Sequence, residues 1–155
     1  MFKKLVKNER GLTLIELLAV VVILGIIAAI AIPAIGGMIN NSKEDAHIAN
    51  AKQIANAARL FATTGDEVGT DNVVTLAELI SAGHLEPITD PSSKGNVYLA
   101  SETKVTVDDY KKPTVFKVTL VGGTATAKAT YTNSAGIAKD ASDLVRSDIV
   151  LDGVK

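Results

Sequence analysis

Gly11-Leu12-Thr13-Leu14-Ile15-Glu16 stands at the entrance of an uninterrupted apolar run, Leu17 to Ile32, and these two pieces together decide how the chain is read. Continued through Pro33, Gly36, Gly37 and Met38 to Ile39, the run spans about 34 Å as a helix at ~1.5 Å per residue, enough to cross a bilayer. Pro33 removes a backbone donor and crowds the preceding turn, so a kink or a locally loosened helix is expected there, with Gly25 as a second weak point. Glu16 is the anomaly. An acidic residue at a helix centre costs roughly 2.5–3.5 kcal/mol on insertion scales, less near the interface, so a carboxylate at this position requires a partner.

A basic head precedes the run. Lys3, Lys4, Lys7 and Arg10 against Glu9 give it a side-chain charge of +3, which leaves −4 for the rest of a chain whose formal total is −1. The positive-inside bias then holds the N-terminus in the cytoplasm and sends the C-terminal part across the membrane. Cysteine is absent, so neither a disulfide framework nor a thiolate metal site is available, and an exported domain must hold together by packing alone. The mildly acidic body argues against a nucleic-acid-reading surface.

An ordinary secretory signal, for which Ala29-Ile30-Ala31 offers a small-x-small cleavage pattern, and a plain single-pass anchor both fit the run. Neither explains Glu16, since both would do better with leucine there. The glycine, the glutamate five residues after the Gly11–Leu12 junction, the basic leader and the Leu/Ala/Val/Ile run together resemble the cleavage and methylation motif of type IV pilins and pseudopilins. Gly25 and Pro33 fall where that family often carries a helix-loosening glycine and a helix-kinking proline. The resemblance covers Lys3 to about Ile39. Leu12 departs from it, because phenylalanine or methionine is commoner at that position.

The resemblance implies a mechanism. A prepilin peptidase cuts on the cytoplasmic side after Gly11, the new α-amine of Leu12 is N-methylated, and the Glu16 carboxylate pairs with that amine on a neighbouring subunit. Such a pair in an apolar core is favourable relative to leaving either charge alone, so it acts as a register check more than as glue. The implied partners are identical subunits in a homopolymer filament, the peptidase, the inner-membrane assembly platform with its ATPase, and the membrane before assembly. The implied organisation is a cytoplasmic leader (1–11), a transmembrane or filament-core helix segment (12–39), an amphipathic half of the same helix (40–64) and a C-terminal globular domain (65–155).

Past Asn40 the chain turns polar yet keeps a helical period. Ile48, Ala51, Ile54, Ala55, Ala58, Phe61 and Ala62 recur in steps of three and four, laying one stripe along a helix, while Lys43, Asn50, Gln53, Asn56 and Arg59 fall elsewhere and His47 is placed on the polar side. One helix from about Leu12 to Thr64 is therefore predicted, with Gly65 as its stop. Gly65 to Asn72 reads as a loop, and Thr75-Leu76-Ala77-Glu78 as a capping box opening a short helix that ends before Gly83. Strands are predicted at Val97–Ala100, Lys104–Val107 and Thr114–Val121, then a Gly122-Gly123 hairpin turn into Thr124–Tyr131, and a last strand at Asp148–Leu151. The fold class is α+β, type IV pilin-like: a long helix packed on a small antiparallel sheet.

Catalytic constellations are missing from the sequence. His47 and His84 are the only histidines, and there is no phosphate-binding loop, HExxH or nucleophile elbow. The acidic pairs Asp66-Glu67 and Asp108-Asp109, like Asp140 and Asp143, match no calcium loop and read as solvated turn acids. No metal, cofactor or enzymatic activity is expected. Tyr110-Lys111-Lys112 is the one basic-aromatic cluster of the body and too small for a stripe of phosphate contacts. The leading reading is a structural prepilin of a Gram-positive competence or type IV-like pilus, with DNA a further partner that no residue pattern shows. A type II secretion pseudopilin is the alternative within the family, and a signal-anchored or secreted binding module the alternative outside it.

Overall fold

A computed structural model of the chain describes residues 13–64, 71–93, 95–109, 112–124 and 126–151. It divides into two compact units, Met1–Ile39 and Asn40–Lys155. Helix α1 (Leu14–Thr63) contributes to both and carries Pro33 inside it. Gly65, expected to stop this helix, lies outside the described residues.

In the first unit the helix is apolar on every face. Its large apolar side chains are between 47% and 87% exposed, from Val20 to Leu14, and the helical assignment runs unbroken through Gly25 and Pro33. Leu14, Leu17, Leu18 and Val21 line a shallow apolar groove. A helix that is hydrophobic all round belongs in a core or a bilayer, and this one is long and apolar enough to cross a membrane.

In the second unit the rest of α1 is amphipathic and its stripe is the buried face. Ala51, Ile54, Ala55, Ala58 and Phe61 are in the core, and Ile48 and Ala62 pack against it half-buried. His47 corrects the sequence expectation. It is fully buried, because position 47 lies four residues before Ala51 and seven before Ile54 and so belongs to the same stripe.

Strands β1 (Val73–Thr75), β2 (Lys104–Val107) and β3 (Phe116–Thr119) form an antiparallel sheet in that order. Val105 is the cross-strand partner of both Val74 and Val118, and this buried row belongs to the core shared with the helix. β1 was not expected. It leads directly into helix α2 (Leu76–Ser81), whose start is the predicted capping box: Thr75 N–H and hydroxyl donate to Glu78 Oε2 at 2.6 and 2.7 Å, and Glu78 N–H donates to Thr75 Oγ1 at 3.2 Å.

The run predicted as one strand, Thr114–Val121, divides between two sheets. β3 pairs with β2, whereas β4 (Val121–Gly123) pairs with β5 (Lys128–Thr130). At the crossing, buried hydroxyls take the backbone bonds: Leu120 N–H donates to Thr132 Oγ1, and Val121 N–H to Thr103 Oγ1. Gly122-Gly123 is consequently not the hairpin turn. Gly122 pairs with Ala129 and Gly123 with Lys128, and the turn is closed by backbone bonds between Thr124 and Ala127.

Two further predicted strands are single bridges. Val97 bridges Thr89, and no ladder forms along Val97–Ala100, because the backbone there serves separate partners: Tyr98 N–H donates to Ile88, Leu99 N–H to Val121, and the Ala100 carbonyl accepts from Ala77. Asp148–Leu151 likewise contributes only the Thr132–Ile149 bridge. Its first residue ends a 3-10 turn, Arg146–Asp148, in which the Asp148 carboxylate takes the Val145 N–H and the Lys139 ammonium. A short helix α3 (Ser134–Ala138), capped by Asn133, and a second 3-10 turn, Ala141–Asp143, fill the polar stretch before it. The architecture is the α+β, type IV pilin-like one, a long helix with a small antiparallel sheet packed on its second half.

Candidate functional site

Helix α1 begins with the same local device as α2. Thr13 precedes the first helical residue, and both its N–H and its hydroxyl donate to Glu16 Oε2 at 2.8 Å, while Glu16 N–H returns to Thr13 Oγ1 at 3.3 Å. This is a capping box, Thr-x-x-Glu, in which two orphan donors of a helix start are satisfied reciprocally. Glu16 thus has a partner inside its own chain. Both bonds land on Oε2, and among the described residues Oε1 takes none. The capping role of Thr13 was missed in the sequence, although the Thr-x-x-Glu spacing that marks Thr75–Glu78 is present here too. Gly11 and Leu12, the residues of the expected cut, lie outside the described residues.

Asp108 closes a turn by accepting the Thr114 hydroxyl and the N–H groups of Thr114 and Val115, and these bonds, the hydroxyl first, hold its carboxyl well below the usual carboxylate range. Asp109 and Asp143 are exposed. Asp66-Glu67 and Tyr110-Lys111 lie outside the described residues. Lys112 is exposed and lines a shallow cleft with Arg59, Thr114 and Phe116. Among the described residues no group of three or more His, Cys, Asp or Glu side chains is placed to hold a metal ion.

Asp140 is an organiser, a role the sequence did not suggest. It accepts Phe116 N–H at 2.8 Å, Ser142 N–H at 2.9 Å and the Ser142 hydroxyl at 2.6 Å, and it pairs with Arg59 at 3.1 Å. The Arg59 guanidinium lies over the Phe116 ring, 4.8 Å from its centroid. Burial alone would raise the Asp140 pKa, but the Phe116 and Ser142 donors and Arg59 outweigh it and hold the carboxyl at about 2. A carboxylate depressed in this way contributes stability that is fully present above its unfolded pKa near 4 and is lost as the pH falls through about 2. Asp140→Asn is therefore expected to destabilise the body by about 2 kcal/mol at neutral pH and to flatten the acid limb of stability below pH ~4. Urea melts at a series of pH values measure both; an unchanged acid limb would remove Asp140 from this role.

The two histidines are both in contact with the core. His84 is half-buried, edge-on to Phe61 at 5.7 Å. His47 is enclosed between α1, the 88–98 connection and the end of β5. Its Nδ1 lies 2.6 Å from the Tyr98 hydroxyl, its Nε2 lies 2.8 Å from Ser92 Oγ, and its ring stacks on Tyr131 at 4.1 Å.

A family model for the prokaryotic N-terminal methylation motif matches residues 6–32, a span that holds Gly11, Leu12, Thr13, Glu16 and Gly25 and ends one residue before Pro33. No curated protein and no solved structure matches the chain. The chain carries a prepilin-type N-terminal motif at the head of a long apolar helix, and this combination supports a type IV pilin-like protein and is consistent with membrane anchoring.

Proposed function

We propose that the chain is a prepilin: a non-catalytic subunit cut after Gly11 by a prepilin peptidase, N-methylated on Leu12, and polymerised with identical copies through its apolar helical segment. The observation that carries this reading is the methylation motif at residues 6–32, which runs into an apolar helix none of whose membrane-length stretch is buried by the described residues. A helix with no internal apolar partner must bury itself in lipid or against other copies. Before assembly it anchors the subunit in the membrane, with the leader 1–11 cytoplasmic; afterwards the same face forms the filament core and the body is displayed outside. The assembly platform and its ATPase are the partners this process requires.

Within that reading the finer assignment is the major subunit of a Gram-positive competence or type IV-like pilus, with a type II secretion pseudopilin as the alternative that the same motif fits. Mass spectrometry of the mature N-terminus tests the reading. A methylated Leu12 is the expected result. A terminus at Ile32 would indicate ordinary signal cleavage, and a retained Met1 a simple anchor; either overturns the proposal.

A further inference from the structure

His47 sits in a chain of hydrogen bonds whose direction is dictated by its partners. The Thr89 carbonyl can only accept, so the Asn50 amide nitrogen faces it at 3.4 Å and also donates to the Tyr98 hydroxyl at 3.2 Å. Tyr98 is buried, its oxygen already accepts from Asn50, and the acceptor left for its own proton is His47 Nδ1 at 2.6 Å. With Nδ1 accepting, the neutral ring carries its proton on Nε2 and donates it to Ser92 Oγ at 2.8 Å. This direction removes one tempting alternative. An Nε2 that already holds a proton cannot take one from the Ser92 hydroxyl, so the His47–Ser92 contact is not a base–nucleophile pair.

The same direction has a second consequence. A proton added to His47 must go to Nδ1, where it meets the Tyr98 O–H proton head-on. One of the two then has to turn away and give up the 2.6 Å bond, and a buried donor left unpaired is costly.

We propose that the His47–Tyr98 hydrogen bond is an acid-sensitive latch between helix α1 and the 88–98 connection, closed with His47 neutral and opened by protonation at Nδ1. The groups that face the ring are distributed over three elements. Lys43, one turn earlier on α1, disfavours the imidazolium. Asp90, on the connection, favours it, but its carboxylate already accepts the Tyr131 hydroxyl at 2.7 Å and the Ser92 N–H at 2.9 Å. Tyr131, at the end of β5, covers one ring face, and Tyr98 and Ser92 close the two nitrogens. Burial is the largest influence and pushes the His47 pKa down to about 4. Because that value is below the unfolded one of 6.5, the unfolded state binds more protons between the two. The stabilisation from a neutral His47 is therefore complete above pH ~6.5 and declines as the pH falls toward ~4.

The test uses the full-length chain in detergent micelles, with 15N-labelled histidine and amide hydrogen exchange followed from about pH 7 to about pH 3. The expected spectrum at neutral pH is that of the Nε2–H tautomer, with a titration midpoint at least ~1 unit below the ordinary value. Protection of the Tyr98 amide, bonded to Ile88, is expected to fall about tenfold across the same midpoint. Tyr98→Phe removes the opposing proton and should raise the His47 midpoint by ~0.5 unit or more. His47→Gln should abolish the step in protection. An Nδ1–H tautomer, an unmoved midpoint in Tyr98→Phe, or a step that persists in His47→Gln overturns the latch. The tautomer and the coincidence of the two wild-type midpoints decide it without any variant.

Discussion

Gly122→Ala is expected to destabilise the body by about 4 kcal/mol or more, a large share of what a domain of this size has. The side chain would be a single methyl group, and the reason for so large an effect is where it points. A Cβ on Gly122 falls 2.0 Å from Asp90 Oδ2, 2.6 Å from Tyr131 Cε2 and 2.9 Å from Asp90 Cγ. None of these can retreat cheaply. Asp90 is 2% exposed and is held by the Tyr131 hydroxyl and the Ser92 N–H, so moving it breaks two bonds to a buried carboxylate, each worth about 1.5–3 kcal/mol. Moving β4 instead gives up its pairing of Val121 with Thr130 and of Gly122 with Ala129. A urea melt of the full chain in micelles measures the loss. Gly25→Ala, at a helical glycine with nothing within 4 Å of the added Cβ, should leave the midpoint unchanged or slightly raised and serves as the control. The double change Gly122→Ala with Asp90→Ala should cost clearly less than the sum of the two, since the carboxylate is the clash partner. Strict additivity would mean that the contact is not what makes Gly122 obligatory.

The same glycine shows why parts of this fold are legible in the sequence and others are not. A Gly-Gly pair between two alternating runs predicts a hairpin turn, because local turn chemistry is all that periodicity can weigh. Gly122 is glycine for a reason 32 positions away, in Asp90. Likewise the Thr114–Val121 alternation announces a strand correctly but carries no sign that Leu120 is where it passes from one partner to another; the Thr103 and Thr132 hydroxyls that make the passage possible are distant in the chain. Three-residue β1 and the scattered bonds of Val97–Ala100 lack any periodic signal. By contrast, the α1 stripe and both Thr-x-x-Glu boxes are written in consecutive turns of helix, and the stripe reads directly into the buried face. His47 is the instructive exception, since its position on that stripe follows from spacing alone and its polarity argues the other way. A buried histidine is stable there only because Tyr98 and Ser92 complete its hydrogen bonds. At the N-terminus the motif is local, so the proposed assembly site is legible in consecutive residues, whereas the latch around His47 joins side chains far apart in the chain and has no signature of its own.

Under the Glu16–Leu12 amine pairing that the type IV pilin resemblance implies, Glu16→Gln is expected to lower filament yield by about two orders of magnitude while cleavage after Gly11 proceeds, and Thr13→Val is expected to lower it by a few-fold at most. The two changes separate the two claims on one carboxylate. In the single chain Glu16 caps its own helix through Oε2, and a neutral amide oxygen at the same place can still accept from Thr13. Glutamine therefore preserves the cap and removes the charge. Valine removes the hydroxyl that donates to Oε2 and accepts from Glu16 N–H, at a cost of roughly 1 kcal/mol for a lost cap, and keeps the charge. In an apolar filament core the neighbour's Leu12 amine would lose its counter-charge in the first case only, and an uncompensated buried charge costs about 3–5 kcal/mol. Oε1, which takes no hydrogen bond among the described residues, is the oxygen able to meet that amine while Oε2 remains on the cap. Immunoblots of sheared filaments, read beside the mass of the processed subunit, give the ranking. If Thr13→Val proved the more damaging change, Glu16 would be a helix cap and nothing more, and the counter-charge for the Leu12 amine would have to be sought elsewhere.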